Sequence, residues 1–119
     1  MQDFRDLKVW HKAHAAALAT YRDTEHFPQG ERFGLTSQMR RAAASVPANI
    51  AEGCGRASDA DFARFLHIAM GSASELEYFL LLARDLQFLE TSDYERTIED
   101  VREVKRMLAG LIARIRADG

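Results

Sequence analysis

The chain has one cysteine, Cys54, so no disulfide can form within it and nothing points to secretion. Its two prolines and seven glycines leave little room for long irregular linkers or a turn-rich all-β fold. There is no long hydrophobic run. The densest, Tyr78 to Ala83, falls far short of the ~20 apolar residues that a bilayer-spanning helix needs. Asp3, Arg5, Asp6 and Lys8 precede any apolar run, which is unlike a signal peptide, and a cytoplasmic location is the expectation. Neither sign of charge dominates. Sixteen Lys and Arg against eighteen Asp and Glu give a net charge of −2, which excludes coating nucleic acid by bulk charge.

What is present is helical periodicity over 119 residues, a length suited to one domain. Leu7, Trp10, Ala13, Ala17, Leu18 and Tyr21 form a stripe on a first helix expected over about 6–24. Pro28 and Gly30 follow its end. Leu35, Met39, Ala42, Val46 and Ile50 share one face of a second helix that ends near Gly53. Pro47 lies inside it and is expected to kink it. Ser58 with Asp61 opens a third helix running to about Gln87, and Ser92 with Glu95 reads as the capping box of a fourth. The short connection between the last two predicts antiparallel packing.

The third helix is apolar on more than one side. Besides its main stripe of Phe62, Phe65, Leu66, Ala69, Ala73, Leu76, Leu80 and Ala83, it carries a second of Ile68, Phe79, Leu82 and Leu86. So small a domain buries both only if this helix is central, and the alternative is an oligomer interface. Gly71 and Ser72 are poor helix formers in mid-helix and predict close approach of a neighbour.

The second helix also bears a polar stripe, Gln38, Arg41, Ser45, Asn49 and Glu52. Gln, Ser and Asn suggest a specified hydrogen-bonding surface, either a buried network that fixes packing or a groove for a polar ligand. His11 and His14, at i and i+3, lack the further ligands that a metal needs, and no cofactor or catalytic motif is found. His14, inside the apolar stripe, is expected to be packed. Arg40, Arg41, Arg56, Lys8 and Lys12 are candidates for a nucleic-acid or partner surface, which symmetry would have to bring together.

Several ordered motifs carry a resemblance. They are Phe4-Arg5-Asp6-Leu7-Lys8-Val9-Trp10, Thr24-Glu25-His26-Phe27-Pro28, and the run from Phe33 to Ala42. The most specific is Ser45-Val46-Pro47-Ala48-Asn49-Ile50-Ala51-Glu52-Gly53, followed by Gly55-Arg56, the run from Phe62 to Ser72, and Ser74-Glu75-Leu76-Glu77. In these the chain resembles the small four-helix bundle proteins named for genes in intervening sequences of bacterial 23S ribosomal RNA. The resemblance implies an all-α, antiparallel up-down four-helix bundle spanning 1–119, assembled as a ring-like homopentamer, with no established enzymatic activity. A related branch is the accessory variability determinant protein of diversity-generating retroelements. It implies binding of RNA or DNA, and of a partner reverse transcriptase, through a basic surface, and this chain departs from it in its slightly acidic balance. The expectation is therefore a non-enzymatic homo-oligomer without a cofactor, with a nucleic-acid-binding or reverse-transcriptase accessory role. The alternative is a protein-interaction scaffold without nucleic-acid affinity.

Overall fold

A computed structural model describes residues 2–118. Within them the chain is all-α. A 3-10 turn at Phe4–Asp6 leads into α1 (Lys8–Asp23), a second at Gln29–Glu31 precedes α2 (Leu35–Cys54), and α3 (Asp59–Asp85) and α4 (Thr91–Asp118) follow. Each helix packs on two others: α1 and α3 both lie against α2 and α4, and the diagonal pairs do not meet among the described residues. The result is a four-helix bundle measuring 46 × 23 × 19 Å.

The core follows the stripes of α2, α3 and α4. Met39, Ile50, Leu66, Leu76, Leu80 and Leu108 are fully enclosed. On α1 the buried side is different from the one expected. Val9, Ala13, Ala16, Ala17 and Thr20 face inward, whereas Leu18 and Tyr21 are half exposed. Ala13 and Ala16 of α1 lie beside Ala43 of α2, so the interior there is built from small residues. Thr20 is admitted because its hydroxyl donates to the carbonyl of Ala16 (2.8 Å), which satisfies a buried polar group locally. His14 is likewise exposed rather than packed in the core, its ring stacked on Trp10 at 4.9 Å.

Helix ends show how local chemistry sets the elements. The Ser58 hydroxyl accepts from the Asp61 N–H (3.1 Å) and caps α3 as expected. The start of α4 differs. It begins at Thr91, and the Glu90 carbonyl accepts the first helical bond from Tyr94 (2.9 Å), so Ser92 already lies inside the helix. α3 ends in a Schellman motif: Phe88 N–H donates to the Ala83 carbonyl (3.0 Å) and Gln87 N–H to that of Arg84 (2.9 Å). Gln87 occupies the left-handed position, φ 65°, where glycine is the usual residue.

Pro47 is buried and α2 continues through it as one helix to Cys54. Gly53 has a steric role. A Cβ there would lie 2.9 Å from Phe62 Cδ1 and 3.0 Å from Phe65 Cβ, so its absence lets the end of α2 close onto the start of α3.

Candidate functional site

The seam between α2 and α3 holds two of the five residues of the polar stripe, Ser45 and Asn49. The hydroxyls of Ser45 and Ser72 share a hydrogen bond (2.8 Å), and Asn49 Nδ2 donates to both the carbonyl (2.8 Å) and the hydroxyl (2.9 Å) of Ser45. These three residues are half-buried; the Ser45–Ser72 bond ties α2 to α3, and Asn49 braces Ser45 from within α2. The rest of the stripe faces outward. Gln38 and Arg41 are exposed, and Glu52 accepts a 2.6 Å hydrogen bond from Arg56 just beyond the helix end. The stripe is thus a polar seam at Ser45 and Asn49, flanked by exposed groups at both ends.

Beside this seam, the second apolar stripe of α3 lies on its outer flank, with Phe79 and Leu82 packed against the edge of the core. Ile68 is 42% exposed and Leu86 47%, with Phe79 and Leu82 half-buried between them. Tyr78, 56% exposed, borders the same face. Helix three is not central. It lies at a corner of the bundle, and among the described residues no other helix covers Ile68 or Leu86.

The basic candidates do not converge. Arg40 donates to Thr24 Oγ1 (2.9 Å) and stacks over Tyr21 at 4.9 Å, a contact that fastens α2 to the end of α1. Arg41, the next residue, is exposed and lies about 100° further round the helix. Arg56 lies past the end of α2, which is itself about 21 Å from Arg40 at 1.5 Å per residue. It is held by Glu52, by Asp61 (3.8 Å) and by the face of Phe65. Lys12 pairs with Asp100 (3.7 Å), and Lys8 is exposed. Arg56 and Lys12 are thus paired with carboxylates and Arg40 is held by neutral groups, whereas Arg41 and Lys8 have no carboxylate partner among the described residues.

The histidines are used locally. His11 Nε2 donates to the Arg5 carbonyl (2.7 Å), which pins the N-terminal turn, and among the described residues no group of three or more His, Cys, Asp or Glu could hold a metal ion. Burial pushes the Cys54 thiol pKa up, away from the thiolate that nucleophilic chemistry requires. No helix of the described residues is long and apolar enough to cross a membrane.

Two surface features escape the periodicity argument. Phe33, in the turn before α2, is 88% exposed with Arg32 stacked on it. Its only sequence signal is a large aromatic between Arg32 and Gly34 in a non-periodic stretch. The second is a groove of about 410 Å³ where α1 begins beside α4, bordered by Leu7, Lys8, Met107, Gly110, Leu111 and Arg114. It joins residues a hundred positions apart, which spacing along one helix cannot reveal.

Comparison with known proteins agrees with the motifs. The profile of the 23S rRNA-intervening sequence protein family matches residues 5–110. A crystal structure of a protein with unknown function from the S23 ribosomal protein family, from Bacteroides thetaiotaomicron VPI-5482, is similar to this fold with a TM-score of 0.81. The two share 28% identity over 88% of this chain and 95% of that one. No curated protein matches the sequence.

Proposed function

Since the chain belongs to the 23S rRNA-intervening sequence protein family, we propose that it acts by association rather than catalysis, as a homo-oligomeric bundle that presents a binding surface to a partner. The observation that carries this reading is the outer face of α3, where Ile68 and Leu86 are exposed and Phe79 and Leu82 are only partly covered by the rim of the core. Complete burial of a large apolar side chain contributes about 1.5–3 kcal/mol. Association costs about 4–15 kcal/mol in lost freedom. With Phe79 and Leu82 already half covered, the four residues bring a gain near the bottom of their range. The face therefore needs a contoured counter-surface and not merely contact with any apolar patch.

The bundle is read as antiparallel and up-down. In support, Ser45 meets Ser72 while Gly53 meets Phe62, and Glu77 meets Lys105 while His67 meets Arg116, so partner numbers rise as the other's fall. A ring-like homopentamer is the assembly that the family resemblance supports, in a cytoplasmic protein. Light scattering behind a sizing column tests it. Five times the 13.4 kDa chain mass is expected, and a monomer mass at micromolar concentration overturns the reading.

Nucleic-acid binding is the second reading, favoured by Arg41 and Lys8, which are exposed and have no carboxylate partner among the described residues. Titration of labelled structured RNA and duplex DNA at several salt concentrations separates it from a pure protein scaffold. Phosphate-driven binding weakens steeply with salt. An absence of binding at low salt leaves the protein scaffold, to which a reverse transcriptase is one candidate partner.

A further inference from the structure

Two glycines inside helices are not explained by any close contact among the described residues. Gly71 in α3 and Gly110 in α4 are exposed, and a Cβ at either would meet nothing within 4 Å. Gly53 differs, because its neighbours explain it. Glycine is the poorest helix former after proline, so its presence in an exposed helix interior calls for a reason. Close approach of another backbone is one that the lack of a Cβ serves directly.

The surroundings of the two glycines are complementary. Gly71 shares the outer face of α3 with Ile68, Glu75 and Leu82 by helical spacing. Glu75 is exposed and has no basic partner among the described residues. Gly110 borders the groove between α1 and α4, where Leu7, Met107 and Leu111 supply apolar surface. Lys8 and Arg114, which flank that groove, have no carboxylate partner among the described residues. One surface is apolar with an unpaired anion; the other is apolar with two unpaired cations, Lys8 and Arg114, beside one carboxylate, Asp6, and so keeps a positive balance. The outer face of α3 and the α1–α4 groove lie on different sides of the bundle.

We infer that the α3 face of one copy seats in the α1–α4 groove of a second copy, with the two helices crossing at Gly71 and Gly110 and Glu75 meeting Lys8 or Arg114. The inference rests on the self-association proposed above and names both halves of the contact. Because the two halves are unlike patches, each copy keeps one of each for its neighbours, which is the requirement for a ring.

Disulfide trapping tests this. Gly71→Cys and Gly110→Cys are each made in a Cys54→Ala background, with tags of different size, and expressed alone or together. After oxidation the expected result is a mixed dimer band from the co-expressed pair and none from either variant alone. An oligomeric protein in which Gly71→Cys joins itself, or in which no pair joins, overturns the inference and leaves self-association standing. A monomeric protein overturns both. Should the cysteine variants fail to fold, charge reversal decides. Glu75→Lys is expected to lower the assembled mass, and adding Lys8→Glu and Arg114→Glu to restore it. Unchanged mass in Glu75→Lys, or no restoration, overturns the contact.

Discussion

At the scale of single residues, Gln87 ends α3 in a conformation that L side chains adopt reluctantly, at a cost of roughly 1 kcal/mol. Gln87→Gly keeps both bonds of the Schellman motif and removes that cost. We expect a gain in unfolding free energy of up to about 1 kcal/mol, read from the urea midpoint. Glu77 offers a test of a different kind. It accepts hydrogen bonds from Lys105 (2.8 Å) and Arg102 (3.3 Å), and these cations hold its carboxyl below the usual glutamate range. A carboxylate with a depressed folded pKa stabilises at neutral pH, and the effect is lost as the pH falls through that value. Glu77→Gln should therefore melt below the parent at pH 7, with the difference closing towards acid. A gap that stays constant from pH 7 down to pH 3 contradicts the ion pair's part in it.

At the scale of elements, α2 shows how a stripe that looks uniform in sequence divides in space. Asn49 is bonded to Ser45 and half-buried, whereas Glu52 is exposed. Asn49→Ala removes two hydrogen bonds at the seam and should lower stability by about 1–2 kcal/mol. Glu52→Ala should stay within about 0.5 kcal/mol. Thermal melts of the two variants side by side check this, and equal shifts would refute the division. The helices were legible in unequal degree, for physical reasons. α2 and α3 bury large aliphatic residues at steps of three and four, so their inward faces stand out. α1 buries alanines and a threonine, which carry little hydrophobic signal, while its Leu18 and Tyr21 lie on the flank. Ser92 and Glu95 have the spacing of a capping box, yet the chain leaving the Schellman turn buries Leu89 and enters α4 two residues sooner. Of the candidate surface, the α3 stripe could be read from one helix alone. The groove at Gly110 could not, because it exists only where Leu7 meets Met107 and Leu111.

At the scale of the whole molecule, the outward face of α3 is where assembly and stability can be separated. Phe79 and Leu82 also pack against the rim of the core, whereas Ile68 and Leu86 are largely free of it. Leu86→Glu is thus the cleaner probe. We expect it to lower the assembled mass while the helical circular dichroism stays intact, since a carboxylate is costly at a desolvated contact and cheap in water. Leu82→Glu should in addition lower the melting temperature.

The bundle also has two unlike poles. Gln2 donates its N–H to the carbonyl of Cys54, and Arg116 donates to His67 (2.8 Å), so the first and last described turns both sit beside the α2–α3 connection. The opposite pole carries the 24–34 connection, with Phe33, and the turn at 86–90. Copies standing side by side in a ring would gather every attachment point for a fused cargo on one rim. In the ring proposed above, fluorescent proteins joined at either end would crowd together there, while the other rim, with one Phe33 from each copy, stayed clear for docking.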